Sequence, residues 1–260
     1  MMRLNYREYG SYTDQHPTLI LLHGLLGSSS NWLTIAKGLA DRFHVLVPDL
    51  RNHGRSPHDD DVSYAALARD IEQLIDEQGL DSALLIGHSM GGKAAMWLAL
   101  EQPERVTGLV VVDIAPVAYP NRFDLIYTAL HAVDQAQVGS RTEADSILAQ
   151  YIDEIGLRQF LLQNLHSVEG SWVWRMNLTA LTQGMSEIVG FSLENPVSYR
   201  GQTLFIYGGK SDYVGPNAKP IIKRLFPQAR LEVIPAAGHW VYAEQPKAFV
   251  QLLMKFLSHF

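Results

Sequence analysis

Ala83-Leu84-Leu85-Ile86-Gly87-His88-Ser89-Met90-Gly91-Gly92-Lys93 carries an apolar run straight into a glycine-flanked serine. The run reads as a buried strand, and Met90 to Gln102 reads as a helix ended by Pro103. Between them, Gly87-His88-Ser89-Met90-Gly91 fits G-x-S-x-G. A sharp strand-to-helix turn at such a motif strains the serine backbone and lifts its hydroxyl clear of the sheet. The flanking glycines let strand and helix backbones approach closely, and the helix N-terminus favours negative charge developing nearby.

Working outward, Leu19-Ile20-Leu21-Leu22, His44-Val45-Leu46-Val47 and Leu109-Val110-Val111-Val112 repeat the short continuous apolar run. Such runs suit parallel strands buried on both faces. Ala68, Ile71, Leu74 and Ile75 fall at helical spacing, with Gly79 as a C-terminal stop. From about Tyr119 to Tyr199 the strand runs cease, and helix-like stretches such as Arg122–Ala136 and Glu143–Ile155 take over. Thr203-Leu204-Phe205-Ile206-Tyr207 and Arg230-Leu231-Glu232-Val233-Ile234 then restore the strands. A last helix, with Pro246 near its start, places Phe249, Leu252, Leu253, Phe256 and Leu257 on one face. The reading is an α/β fold, a mostly parallel central sheet flanked by helices. Residues 1–118 and 200–260 form the core, and 119–199 form a helical cap, or lid, inserted after a sixth strand.

Composition removes several classes. With 47% hydrophobic and 18% charged residues, the 260-residue chain has ample material for a core. Lys and Arg total 21 against 27 Asp and Glu, a balance of −6 that argues against a nucleic-acid partner. With 0 cysteines, disulfides, thiolate nucleophiles and Cys-held zinc are excluded. Met1-Met2-Arg3-Leu4-Asn5-Tyr6 turns polar too early for a signal-peptide core, and Leu19–Gly27 is far too short for a membrane span. The expectation is a soluble cytoplasmic protein.

The chemistry needs further groups around Ser89. An oxyanion hole takes the N–H of the residue after the nucleophile, here Met90, and a second N–H from another loop. His23-Gly24-Leu25-Leu26-Gly27 follows a strand and offers Leu25. Gly238-His239-Trp240, after the last strand, offers His239 as general base. His16, His44, His131 and His166 read as ordinary positions, and His88 and His23 sit inside the motifs. For the acid, Asp113 ends Val110-Val111-Val112 and Asp212 follows Gly208-Gly209-Lys210-Ser211. Both preserve the order Ser…Asp…His, and spacing does not separate them. His53 and His58, with Asp59-Asp60-Asp61, have no metal-ligand spacing, so neither a metal nor any other cofactor is expected. Trp172 and Trp174 are candidates for lining a substrate pocket or for packing the lid. Lys93 reads as a surface charge, and Arg51, Arg122 and Lys93 are candidates to meet a charged leaving group that spacing alone does not place.

Taken together, the elbow, the Leu25 loop and the terminal histidine resemble the α/β-hydrolase superfamily over nearly the whole chain. The nearer resemblance is to YbfF-type esterases. It rests on Asp49-Leu50-Arg51-Asn52-His53-Gly54-Arg55-Ser56-Pro57, Gly87-His88-Ser89-Met90-Gly91-Gly92-Lys93, Val112-Asp113-Ile114-Ala115-Pro116 and Ala237-Gly238-His239-Trp240. Many superfamily members carry glycine where this chain has Asn52. The resemblance implies Ser89 as nucleophile and His239 as base, and it favours Asp113 as the acid. Asp212, present here as in the wider superfamily, remains the alternative. The expected activity is hydrolysis of a small-molecule acyl ester or thioester (acyl-CoA-like) through an acyl-enzyme. Rival readings are a C–C bond hydrolase of ring-cleavage products and a low-turnover ligand-binding protein on the same fold. Dehalogenase and epoxide hydrolase chemistry places an aspartate where this chain has Ser89.

Overall fold

Each apolar run forms a strand, and the reason is visible in where its alternate side chains go. In the computed structural model, which describes residues 2–194 and 197–260, the chain begins with β1 (Tyr6–Tyr9), β2 (Leu19–Leu22), α1 (Leu33–Leu39) and β3 (Val45–Pro48). It continues with α2 (Tyr64–Glu77), β4 (Ala83–His88), α3 (Met90–Glu101) and β5 (Val106–Val112). Every residue of β2, β3 and β4 is buried. Leu19, Leu21, Leu84 and Ile86 face one apolar cluster, with Ile35 and Leu39 of α1. Ile20, Leu22 and Leu85 face the other, with Ile71 and Leu74 of α2 and Met96 of α3. A strand's two-residue period thus serves a helical layer on each face.

Between β5 and the next strand of the sheet lie α4 (Asp124–Ala136), α5 (Arg141–Leu148), α6 (Ile155–Leu162), β6 (Leu165–Val168), β7 (Ser171–Trp174), α7 (Leu178–Gln183) and α8 (Met185–Val189). The sheet resumes with β8 (Thr203–Gly208), α9 (Ala218–Leu225), β9 (Ala229–Ile234), α10 (Val241–Glu244) and α11 (Pro246–Leu257). The strand order is β1-β3-β2-β4-β5-β8-β9 in a 7-stranded sheet. Only β1 runs antiparallel to its neighbour.

Three expectations change. Among the described residues the insertion follows the fifth strand, β5, instead of a sixth, because a single antiparallel strand precedes β2. The inserted segment is not wholly helical: β6 and β7 form a hairpin, closed by Glu169 (φ 51°) and Gly170 (φ 88°). Two positive φ values give the turn that matches strand twist, and Gly170 takes one of them without steric cost. The stretch expected as one helix from Glu143 to Ile155 ends at Leu148, and α6 begins at Ile155.

The crossover that leaves β2 leads to β3 on one side, and the crossover that leaves β4 leads to β5 on the other. The carboxyl ends of β2 and β4 therefore flank a topological switch point, the ordinary place for a ligand crevice in such a sheet. Close backbone contact shapes that edge. A Cβ on Gly87 would lie 2.3 Å from the Gly91 carbonyl oxygen, and one on Gly91 would lie 2.5 Å from the His23 carbonyl oxygen. Because these obstacles are main chain, they cannot swing aside. Gly87→Ala is expected to destabilise the protein by about 3 kcal/mol, the upper end of overpacking. The test is the denaturant midpoint, which stays near the wild-type value if the elbow is slack.

Candidate active site

Ser89 joins β4 to α3 at φ 51°, ψ −117°. Its N–H donates to the Val112 carbonyl (3.0 Å), and its carbonyl accepts from the Lys93 N–H (3.0 Å). A non-glycine residue in this region costs about 1–3 kcal/mol, held by the surrounding structure. Among the described residues the Ser89 hydroxyl makes no hydrogen bond. It opens instead on the space above the sheet, where two cavities meet.

Asp113, the residue after β5, is fully buried and also adopts a positive φ, 50°. Its Oδ1 accepts from the Gly208 N–H (2.9 Å), and its Oδ2 accepts from the Ser211 hydroxyl (2.5 Å) and from His239 Nδ1 (2.7 Å). The carboxylate can only accept, so His239 carries its proton on Nδ1 and keeps a lone pair on Nε2. The His239 loop is fixed from several sides. His88 Nε2 donates to the His239 carbonyl (3.0 Å), and Glu244 accepts from the N–H groups of Gly238 (2.7 Å) and Trp240 (3.1 Å). The Tyr213 ring stacks on the imidazole at 4.3 Å. Asp212 lines the cavity that runs past Ser89, but its carboxylate turns to Arg122 and not to His239. Its side chain is 65% exposed and pairs with Arg122 Nη1 at 2.6 Å, a contact that holds its carboxyl below the usual carboxylate range.

The loop after β2 approaches the elbow from the other side. Gly24 packs against His88 and Ser89, and Leu25 lines both cavities. Two buried histidines set this loop. His23 donates from Nδ1 to the Gly24 carbonyl (2.8 Å) and accepts from the Leu50 N–H at Nε2 (3.0 Å). His53 donates from Nδ1 to the Arg51 carbonyl (2.8 Å) and accepts from the Leu26 N–H at Nε2 (3.1 Å). Each must be neutral to accept. Burial lowers both pKa values, that of His53 to about 3. Met90 is the first residue of α3, so its N–H has no carbonyl one turn earlier in the helix to bond.

One cavity, about 550 Å³ of empty space, runs from Ser89 past Met90, Tyr119 and Tyr64 to Lys93. The other, about 870 Å³, runs from Ser89 and His239 past Phe123, Phe160 and Trp240. Trp172 and Trp174 line neither. Trp174 Nε1 donates to the Leu130 carbonyl (3.2 Å) and Trp172 Nε1 to the Gly139 carbonyl (3.0 Å), both inside the insertion. The pocket reading of these residues is corrected accordingly: the hairpin turns its indoles toward α4 and the loop after it, away from Ser89.

Lys93 is a second correction. It is 2% exposed, not a surface charge, and Nζ donates to the Val189 and Gly190 carbonyls (2.8 Å each). The ammonium also lies 4.8 Å from the centre of the Tyr119 ring, and burial lowers its pKa to about 7. Helix α3 is enclosed nearly all round, so its one lysine reaches inward to the insertion. Arg51 is likewise committed, bonding both oxygens of the buried Asp70 (2.7 and 2.9 Å). Among the described residues no three His, Asp or Glu side chains converge as metal ligands. Tyr119, Phe123, Phe160, Tyr213 and Trp240 are among the lining residues that the sequence does not single out. Trp240 alone carried a signal, its place beside His239.

The sequence profile described as the alpha/beta hydrolase fold matches residues 17–246, and the chain belongs to that family. It is 42% identical over 250 residues to the mouse sn-1-specific diacylglycerol lipase ABHD11, covering 93% of this chain and 81% of that one. It is 39% identical over 259 residues to esterase YbfF of Escherichia coli strain K12, covering 99% of this chain and 100% of that one. The solved structure of a marine microorganism esterase superposes with a TM-score of 0.95 at 40% identity, covering 98% of this chain and 100% of that one. No described helix is long and apolar enough to cross a membrane.

The neutral histidines make stability pH-dependent in a known direction. An unfolded chain binds a proton at His53 near pH 6.5, whereas the folded chain resists it down to about 3. The unfolded state therefore binds more protons in that window, and stability falls as pH drops through it. His53 contributes a slope of about 1.4 kcal/mol per pH unit and nothing above about pH 6.5. Urea midpoints measured between about pH 7.5 and about pH 4.5 are expected to fall less steeply in His53→Gln than in wild type. Parallel lines would remove His53 from the account.

Proposed function

We propose that the chain is a serine hydrolase that cleaves carboxylic ester or thioester bonds through an acyl-enzyme. The observation that carries the reading is the 2.7 Å bond from His239 to the buried Asp113, beside a serine held at an elbow. Support also comes from relatives named as an esterase and a diacylglycerol lipase.

Ser89 is the nucleophile. His239 Nε2 removes its proton as the oxygen attacks the acyl carbonyl. Asp113 holds the imidazole in the required tautomer and stabilises the imidazolium. The N–H groups of Leu25 and Met90 stabilise the oxyanion, an effect worth about 10²–10³ per donor in a related chemistry. As the tetrahedral intermediate collapses, His239 returns the proton to the leaving oxygen or sulfur. Water then enters and gives a proton to His239 as it attacks the acyl carbon, and collapse breaks the bond to Ser89, whose oxygen takes that proton back from His239 as the acid leaves. Two cavities meeting at Ser89 give the acyl chain and the leaving group separate rooms, and residues 119–199 act as the cap that walls both.

The test is labelling with a fluorophosphonate probe, with peptide mapping, beside turnover of aryl esters and thioesters of graded chain length. A single adduct on Ser89 is expected. Ser89→Ala should lose the adduct and about 10⁶ in turnover, and Asp113→Asn about 10⁴. Asp212→Asn is expected to stay within a few-fold of wild type, since its carboxylate faces Arg122. No adduct on folded protein, or equal mild losses at both aspartates, would overturn the assignment.

A further inference from the structure

We infer that Asn164, which the insertion carries between α6 and β6, is a positioning residue for the oxyanion hole. The inference rests on the reading of Leu25 N–H as an oxyanion donor. Asn164 is 3% exposed, and its Nδ2 donates to the Leu26 carbonyl at 2.7 Å. Its main chain is held as well. The Asn164 N–H donates to the Leu161 carbonyl (3.0 Å), and the Asn164 carbonyl accepts from the Arg175 N–H (2.9 Å). The side chain therefore projects onto the core from a fixed base.

The bond it makes leads, through two peptide groups, to Leu25. The peptide that carries the Leu26 carbonyl also carries the Gly27 N–H, which donates to the Gly24 carbonyl (3.0 Å). The peptide that carries the Gly24 carbonyl also carries the Leu25 N–H. A donor at one end thus fixes, and polarises, the donor at the other, because hydrogen bonds in series strengthen one another. Leu26 itself sits at φ 58° and is 2% exposed, a conformation that turns of this kind ordinarily give to glycine or asparagine. It is clamped on both sides, its N–H by His53 and its carbonyl by Asn164. His53 comes from the core and Asn164 from the insertion. The hole is complete only where both parts of the chain contribute.

The variants Asn164→Ala and Asn164→Asp both remove the donor, the second at unchanged volume, and either one that folds carries the test. Turnover of an aryl ester and binding of an alkyl boronic acid, which becomes tetrahedral on the serine, are measured together with KM. For either variant kcat is expected to fall about ten- to hundredfold, since a small misplacement of one donor costs on that order. Boronic acid affinity should fall in step, with KM within about twofold. A role confined to folding would lower the melting temperature without this parallel loss. If the boronic acid binds wild type and its affinity and kcat are unchanged in the variants, Asn164 is not a positioning residue, while the serine reading stands. If wild type does not bind it at all, the serine reading fails and this inference with it.

Discussion

The arrangement depends on the contact between two backbones at the Ser89 turn. Gly87 and Gly91 lie so close across it that main-chain atoms occupy the room a methyl group would need. That closeness forces the reversal from β4 into α3, and the reversal forces Ser89 to a positive φ. A serine so placed cannot fold back into the sheet. Asp113 repeats the solution one strand over, at φ 50° after β5. Two side chains that must project past the sheet edge are each set by a strained residue directly after a buried strand. The strain is tolerable because the strands are locked by burial on both faces.

Much of this was legible because it is local. An apolar run, a glycine-flanked serine and a helix opening occupy adjacent residues, and their meaning needs no distant partner. The same holds for the glycine-bounded loop at Leu25. The two aspartates illustrate the opposite case. Asp113 and Asp212 both follow strands that lie side by side, and chain spacing cannot say which carboxylate turns toward His239. In the folded chain Asp113 meets the imidazole, while Asp212 meets Arg122 from the segment leading into α4.

The insertion was the least legible part, again for physical reasons. Its hairpin strands have few buried positions, so they lack the continuous apolar signature of the core strands. Trp172 and Trp174 were visible as aromatic residues, but their direction depends on how the hairpin packs on α4. Lys93 departs from its surface expectation for a related reason. A lysine on a helix is ordinarily solvated, and only the arrival of Val189 and Gly190 from the insertion gives this one two carbonyls to bond. Asn164 carried no signal, since a single asparagine with no motif is silent until its partner is known.

The insertion leaves the sheet at the end of β5 and returns to it at β8, and those two strands are hydrogen-bonded neighbours. Its beginning and end are tied to opposite edges of the sheet, at the carboxyl end of one strand and the amino end of its parallel neighbour, whatever happens between. From the standpoint of the sheet, the whole segment is a loop whose span is already set. The entropy of closing such a loop rises only with the logarithm of its length, about 0.6 kcal/mol for each doubling. Lengthening or shortening the segment therefore changes the closure entropy little, while it redraws both cavities. Shape of the cavities and stability of the scaffold are coupled instead through packing, since Leu130, Leu161 and Ile188 of the insertion share one apolar cluster with Ile71 and Met96 of the core, and through polar ties such as those at Lys93, Asn164 and the Asn52–Asn177 pair.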